Sequence, residues 1–306
     1  MEVALHHGII NTESSMPNQV TTPGEQLRST IKSTAIQVPG APSALVGRMI
    51  EDAGFEAVYL SGAALSASVL AMPDVGLFTL TELVQQVDYM TSRIAVPVIV
   101  DADTGFGDTV NVERTIADLE RAGAAAIQLE DQVLPKRCGH LSGKQLISAD
   151  DMCAKLKAAA AARADESTVI IGRTDARAVE GFDAAVDRAR QYLDAGADWI
   201  FPEALTTPDE FRAFAKSVDA PLVANMTEFG KSPLLDFDEL AEMGYRVVLY
   251  PVTLMRVAMK AVETSLAILA ADGSQRELLD LMQTRQELYD LLDYSTYESR
   301  DREYFQ

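Results

Sequence analysis

The chain has 306 residues, a mass of 33.2 kDa and 48% hydrophobic residues, enough to bury the core of one large barrel or of two smaller domains. Its 46 acidic against 26 basic residues leave a net charge of -20, which argues against nucleic acid or an anionic membrane surface as partner. Two unpatterned cysteines, no Lys or Arg before Arg28 and no apolar run near the roughly 20 residues of a membrane span predict a protein of the cytoplasm.

In chain order, residues 1–24 are polar and turn-rich and predict a loosely held N-terminal arm, leaving 25–306 as one domain. Short apolar or β-branched runs follow at 35–38, 57–60, 96–100, 125–129, 169–172, 199–201, 222–224 and 247–250. Between them lie helical patterns, such as Leu45, Met49 and Ile50, or Val186, Ala189 and Leu193. Four of these close on the same stop signal: Ala53-Gly54, Ala122-Gly123, Ala195-Gly196 and Met243-Gly244. Eight strand-helix units predict an α/β fold, a (β/α)8 TIM-type barrel whose functional residues stand where the strands end. An open doubly wound sheet is the alternative, but no Gly-x-Gly-x-x-Gly follows the first strand. Beyond the eighth strand, helices over 252–271 and 275–294 carry more apolar surface than an appendage needs and predict packing on the barrel or on another subunit.

Polar residues gather at the strand ends. The second strand runs into Ser61-Gly62-Ala63, small residues whose N–H groups could approach a carboxylate or phosphate. The third ends in Asp101-Ala102-Asp103, two carboxylates whose burial at a barrel mouth a hard cation such as Mg²⁺ would offset. Glu130 and Asp131 follow the fourth strand, Arg173 and Asp175 the fifth, Glu203 the sixth, and Asn225-Met226-Thr227-Glu228 the seventh. Arg173 offers a planar fork for a carboxylate, while Glu130 and Glu203 could hold metal-bound waters. After the fourth strand comes Lys136-Arg137-Cys138-Gly139-His140. Its two cations predict a lowered thiol pKa, so Cys138 reads as a proton-carrying thiolate, whereas Cys153 sits in a helical pattern and reads as inert. Zinc binding is poorly supplied by two cysteines and three histidines, and a nucleophile seldom finds its base two residues away.

The Lys136–His140 block, with residues 101–107 and 129–132, resembles the isocitrate lyase and phosphoenolpyruvate mutase superfamily over roughly 27–300. Arg137 stands where isocitrate lyases usually have lysine, and Asn225-Met226-Thr227 where they have Ser-Pro-Ser. Those differences point to a methylated substrate, and Ala63 stands where many relatives have glycine. The resemblance implies cleavage of 2-methylisocitrate to pyruvate and succinate, with isocitrate or another 2-oxo acid adduct as the alternative substrate; a metabolite-binding barrel without chemistry is the remaining reading. It implies a small di- or tricarboxylate ligand, and Mg²⁺ anchored by Asp101 and Asp103 with Glu130 behind them. Ser61, Gly62, Ala63 and Arg173 would hold the pyruvate side. Asn225, Met226, Thr227, Arg256 and Arg285 would orient the succinate side, with Glu203 in support. Cys138 would be the acid with Gly139 touching substrate, and Tyr59, beside the Ser-Gly turn, is the candidate base. The resemblance further implies a homo-oligomer, often a tetramer, with C-terminal helices exchanged between subunits and a loop that closes over Cys138.

Overall fold

A computed structural model describes residues 21–305. Eight parallel strands form one sheet: β1 Ile36–Pro39, β2 Val58–Leu60, β3 Val98–Asp101, β4 Ala126–Glu130, β5 Val169–Thr174, β6 Trp199–Pro202, β7 Leu222–Asn225 and β8 Tyr245–Tyr250. β1 pairs with β8, and the ring closes between β1 and β2 where Gly40 lies opposite Tyr59 and the Ala41 N–H donates to the Tyr59 carbonyl at 2.9 Å. This is the expected (β/α)8 barrel.

The strands are nearly continuous apolar runs because a parallel sheet under helices is buried on both faces. Alternate residues serve the two sides. Tyr59, Ile99, Ile171, Trp199, Phe201, Val223, Val247 and Leu249 fill the interior, whereas Val58, Leu60, Val98, Val100, Ile170 and Ile200 pack against the surrounding helices. Leu27 and Ile31 of the helix Pro23–Ser33 join the interior cluster, and Arg28 of that helix donates to the Ser167 carbonyl at 2.6 Å just ahead of β5. The helix therefore plugs the N-terminal mouth, and the C-terminal mouth is left for chemistry.

Two expected boundaries move. The arm does not extend to residue 24: Thr22 caps a helix that starts at Pro23, with Glu25 completing a capping box, so Pro23 and Gly24 belong to the barrel plug. Residues 1–20 of the arm lie outside the described residues. Past the helix Thr253–Asp272, the single helix expected over 275–294 is instead a 3-10 turn Arg276–Leu281, a helix Arg285–Leu291 and a helix Tyr294–Tyr304. Thr284 and Glu287 form a capping box that starts a new helix, and Asp293 at φ 55° breaks the chain direction again. All four expected stops hold, with Gly54, Gly123, Gly196 and Gly244 at φ between 86° and 109°. Among the described residues no helix is long and apolar enough to cross a membrane.

Candidate active site

At the C-terminal mouth, a cleft of about 570 Å³ is lined by residues from the ends of β2, β3, β5, β6, β7 and β8 and from the loop after β4. On one wall Asp101 accepts from the Gly62 N–H at 3.1 Å, from Gln128 Nε2 at 3.1 Å and from the Asp103 N–H at 3.3 Å. Gly62, expected to turn its N–H to a ligand, spends it on this carboxylate, and a Cβ there would stand 3.1 Å from Asp103 Oδ1 and 3.2 Å from Asp101 Oδ2. Ser61 caps the short helix that follows and, with Ala63, lines the cleft. Asp103 takes a left-handed turn at φ 47°, which aims its carboxylate at Lys136 Nζ, 2.8 Å away. Lys136 pairs with Asp74 as well. Burial pushes the Asp103 carboxyl up to about 7 against the pull of Lys136.

On the facing wall, Arg173 Nε bonds Asp175 Oδ2 at 3.0 Å, and its Nη2 lies 3.2 Å from Glu203 Oε2 and 3.3 Å from Glu130 Oε2. Its guanidinium carbon sits 5.2 Å from the centre of the Phe201 ring. The two glutamates are shifted in opposite directions. Burial pushes Glu130 well above the usual range, whereas for Glu203 the burial cost is outweighed by Arg173, His140 and Lys144, which hold it well below. Both Glu130 oxygens are buried without a hydrogen-bond donor, since the approach of Arg173 has ion-pair distance but not bonding geometry.

The loop between β4 and the helix Ala149–Ala162 carries Cys138 into the cleft. Gln132 clamps it by donating to the Arg137 carbonyl and accepting from the Arg137 N–H, both at 2.9 Å. Gly139 packs so closely on the opposite wall that a Cβ would meet Arg173 Nη2 and Glu203 Cγ at 2.5 Å, which only glycine permits. His140 Nδ1 accepts from the Lys231 N–H at 2.9 Å, so the ring proton belongs on Nε2, 2.8 Å from Glu203 Oε1. Lys144 donates to the Gly139 carbonyl and lies 2.5 Å from Asp175 Oδ1.

The expected thiolate is not what this environment favours. Lys136 turns to Asp74 and Asp103, and Arg137 donates to the Ser142 carbonyl at 3.3 Å, so neither is spent on the sulfur. Burial pushes the Cys138 thiol up, with the His140 N–H as the largest opposing influence. A thiol that stays protonated is a proton donor. Tyr59 lines the cleft as expected, but its hydroxyl donates to Gln128 Oε1 at 3.0 Å and burial pushes its pKa well above the ordinary phenol value, with Arg173 pulling the other way. Asn225 donates to Glu203 at 3.3 to 3.4 Å, and Thr227 and Arg256 complete the cleft.

Two expected ligand residues are not brought there. Met226 is buried in the shell outside the barrel, where its sulfur accepts from the Leu235 N–H, because it alternates with Asn225 along the chain. Arg285 opens an exposed helix of the C-terminal segment and does not line the cleft. Conversely, Asp74, Gln128, His140 and Lys144 were not singled out as site residues. Gln128 had a signal, a lone amide at an inward position of an apolar strand; Asp74 had none.

Among the described residues no three His, Cys, Asp or Glu side chains form a ready metal cage. Asp101 and Asp103 nevertheless suit Mg²⁺, which takes one or two carboxylates and fills its remaining positions with water and substrate oxygens. The donorless oxygens of Glu130 behind them are what hydrogen-bonding metal waters would satisfy.

Fold and site together define a (β/α)8-barrel enzyme working on a small molecule at the C-terminal mouth. The model of the phosphoenolpyruvate phosphomutase family matches residues 27–270. A 2-methylisocitrate lyase of Aeropyrum pernix is 56% identical over 92% of this chain and 91% of its own. Two solved structures have the same architecture: a 2,3-dimethylmalate lyase, TM-score 0.87 and 34% identity over 92% of this chain and 96% of that one, and a phosphonopyruvate hydrolase complexed with oxalate and Mg²⁺, TM-score 0.85 and 33% identity over 93% and 100%. The chain belongs to the phosphoenolpyruvate phosphomutase family, within the isocitrate lyase and phosphoenolpyruvate mutase superfamily.

Proposed function

We propose that the chain is a carbon–carbon lyase that cleaves 2-methylisocitrate to pyruvate and succinate. The observation that carries this is the half-buried Cys138 thiol, brought by the loop after β4 into the same cleft as Asp101 and Arg173, where burial favours its protonated form. Curated relatives at 41 to 56% identity over about nine-tenths of the chain bear the name of this activity.

Arg173, already oriented by Asp175, receives the carboxylate on the pyruvate side, and Asn225, Thr227 and Arg256 receive the succinate side. When Mg²⁺ is bound by Asp101 and Asp103, it supplies positive charge for the oxygen from which the pyruvate carbonyl forms. Breaking the C2–C3 bond leaves the electron pair on the succinate carbon, and Cys138 Sγ–H gives that carbon its proton. Tyr59 remains our candidate acceptor for the hydroxyl proton, which it would take as the phenolate; burial opposes that form and Arg173 favours it. The apolar ring of Phe201 and the close packing of Gly139 keep stray water from the carbanion.

The wider setting is proposed on separate grounds. Two free cysteines support the cytoplasm. The helix Thr253–Asp272 has no buried residue, which supports a tetramer with exchanged C-terminal helices, and Arg285 would then reach a cleft across a subunit boundary. Release of pyruvate from 2-methylisocitrate and from isocitrate, each with Mg²⁺ and after EDTA, tests the proposal. We expect 2-methylisocitrate to be preferred and EDTA to abolish turnover until Mg²⁺ is restored. Preference for isocitrate would overturn the substrate, and indifference to EDTA the metal.

A further inference from the structure

The loop bearing Cys138 has a neck. Its ends meet where the Ile147 N–H donates to the Asp131 carbonyl at 3.0 Å, Gln132 bridges Leu146, and the Val133 N–H donates to the Gln145 carbonyl at 2.8 Å. Asp131, wholly buried at this neck, accepts from Tyr192 Oη at 2.7 Å, Thr174 Oγ1 at 2.8 Å and the Asp175 N–H at 2.9 Å. Arg188 and Tyr192 lie four residues apart on one face of the helix Phe182–Asp194. Arg188 Nη1 reaches both ends of the neck, the Asp131 carboxylate at 3.4 Å and the Ile147 carbonyl at 3.1 Å, and also Tyr192 Oη at 3.1 Å. Its other edge is held by Glu180 at 2.7 and 2.8 Å. Asp175, whose N–H Asp131 fixes, is in turn the partner of Arg173 and of Lys144 in the loop.

We propose that Asp131, Arg188 and Tyr192, none of which lines the cleft, are positioning residues that set the resting geometry of the Cys138 loop and, through Asp175, of the Arg173 guanidinium. A buried pair that served stability alone would not need to grip both ends of one loop. Arg188 does so from a helix outside the barrel, and a planar fork with several donors is the side chain that can. The anchor holds the neck from outside the cleft, while Lys136, His140 and Lys144 hold the rest of the loop from within it.

The inference rests on Cys138 being the working thiol, so its main test uses no substrate. In Arg188→Met, alkylation of Cys138 by iodoacetamide, followed by peptide mass spectrometry, should accelerate about tenfold as the lost bonds free the neck, while Cys153 in the same molecule keeps its rate. Hydrogen exchange should rise across 132–147 and remain unchanged in β1 and β8. Tyr192→Phe, which loses one hydroxyl and keeps the packing, should move both readouts in the same direction by about threefold and serves if Arg188→Met does not fold. With 2-methylisocitrate, KM should rise more than kcat falls, because binding must then order the loop. Unchanged Cys138 reactivity and exchange in a folded variant would overturn the anchor, as would equal acceleration of both cysteines. Absence of lyase activity in the unmodified protein, with these thiol and exchange shifts intact, would instead overturn the function and leave the anchor standing.

Discussion

At Cys138 one side chain must keep a proton until a carbanion appears, and burial does this better than neighbouring charge. Sequence spacing placed two cations beside the sulfur, but adjacency in the chain says nothing of direction: Lys136 answers Asp74 and Asp103 from other loops. The identity of the acid was therefore legible and its protonation state was not, because desolvation arises only once the loop packs on Arg173 and Glu203. Cys138→Ser should fold normally, with an unchanged circular dichroism spectrum, and lose at least about 100-fold in kcat, since a hydroxyl of higher pKa is a poorer donor. Near wild-type turnover would remove the thiol from the mechanism. The raised pKa also sets a pH dependence. Alkylation requires thiolate, so the rate at Cys138 should still be climbing with pH at the ordinary thiol value of 9.0. By the same sign, the folded state favours the neutral thiol, so this group's contribution to stability is present at lower pH and is lost as pH rises past that value. A plateau in the alkylation rate below pH 8 would show that the sulfur is activated after all.

Among the elements, strands and helix stops were the most legible parts, because a β/α repeat has to satisfy the same local rules eight times. Each stop glycine takes a backbone conformation that other residues resist, yet the four differ in what surrounds them. A Cβ at Gly54 would meet nothing within 4 Å, whereas one at Gly196 would lie 2.9 Å from the Ala160 Cβ. Gly54→Ala should cost about 1 kcal/mol, the backbone penalty alone, and Gly196→Ala clearly more, since overcrowding adds to the same penalty. Urea unfolding of the two variants checks this; equal losses would mean that the helix end at Gly196 simply shifts. The C-terminal segment was legible only as apolar and helical. Its breaks depend on the Thr284 cap and on Asp293, and a leucine-rich pattern with no barrel strand to face fixes no register. The side of the chain on which Met226 falls was readable from alternation in β7, and the family pattern of Asn225-Met226-Thr227 masked it.

For the whole molecule, the unsolved term is the apolar surface left outside the barrel. Along the helix Thr253–Asp272, Met259 is 52% exposed, Val262 48%, Leu266 60% and Leu269 40%, spaced so that they share one face, and no residue of the helix is buried. A contiguous face of this kind on a chain carrying a net charge of -20 is not there for solubility, because charge keeps copies apart and apolar area draws them together. Burial of several such side chains, at about 1.5 to 3 kcal/mol each, is enough to outweigh that repulsion in an obligate assembly. The barrel does not require the helix for its own core, so placing a charge on it separates assembly from folding. If the chain forms the proposed tetramer, Leu266→Glu should lower the mass measured by light scattering from four times the chain mass toward one, while the far-ultraviolet circular dichroism of the barrel is retained. If Arg285 acts across a subunit boundary, the same variant should raise KM for 2-methylisocitrate about tenfold or more, the value of one charged contact to a carboxylate, and Arg285→Ala in an intact tetramer should do likewise. A Leu266→Glu protein of unchanged mass would show that this face meets something other than a second copy of the chain. A fully active monomer would confine every residue of the reaction to a single barrel.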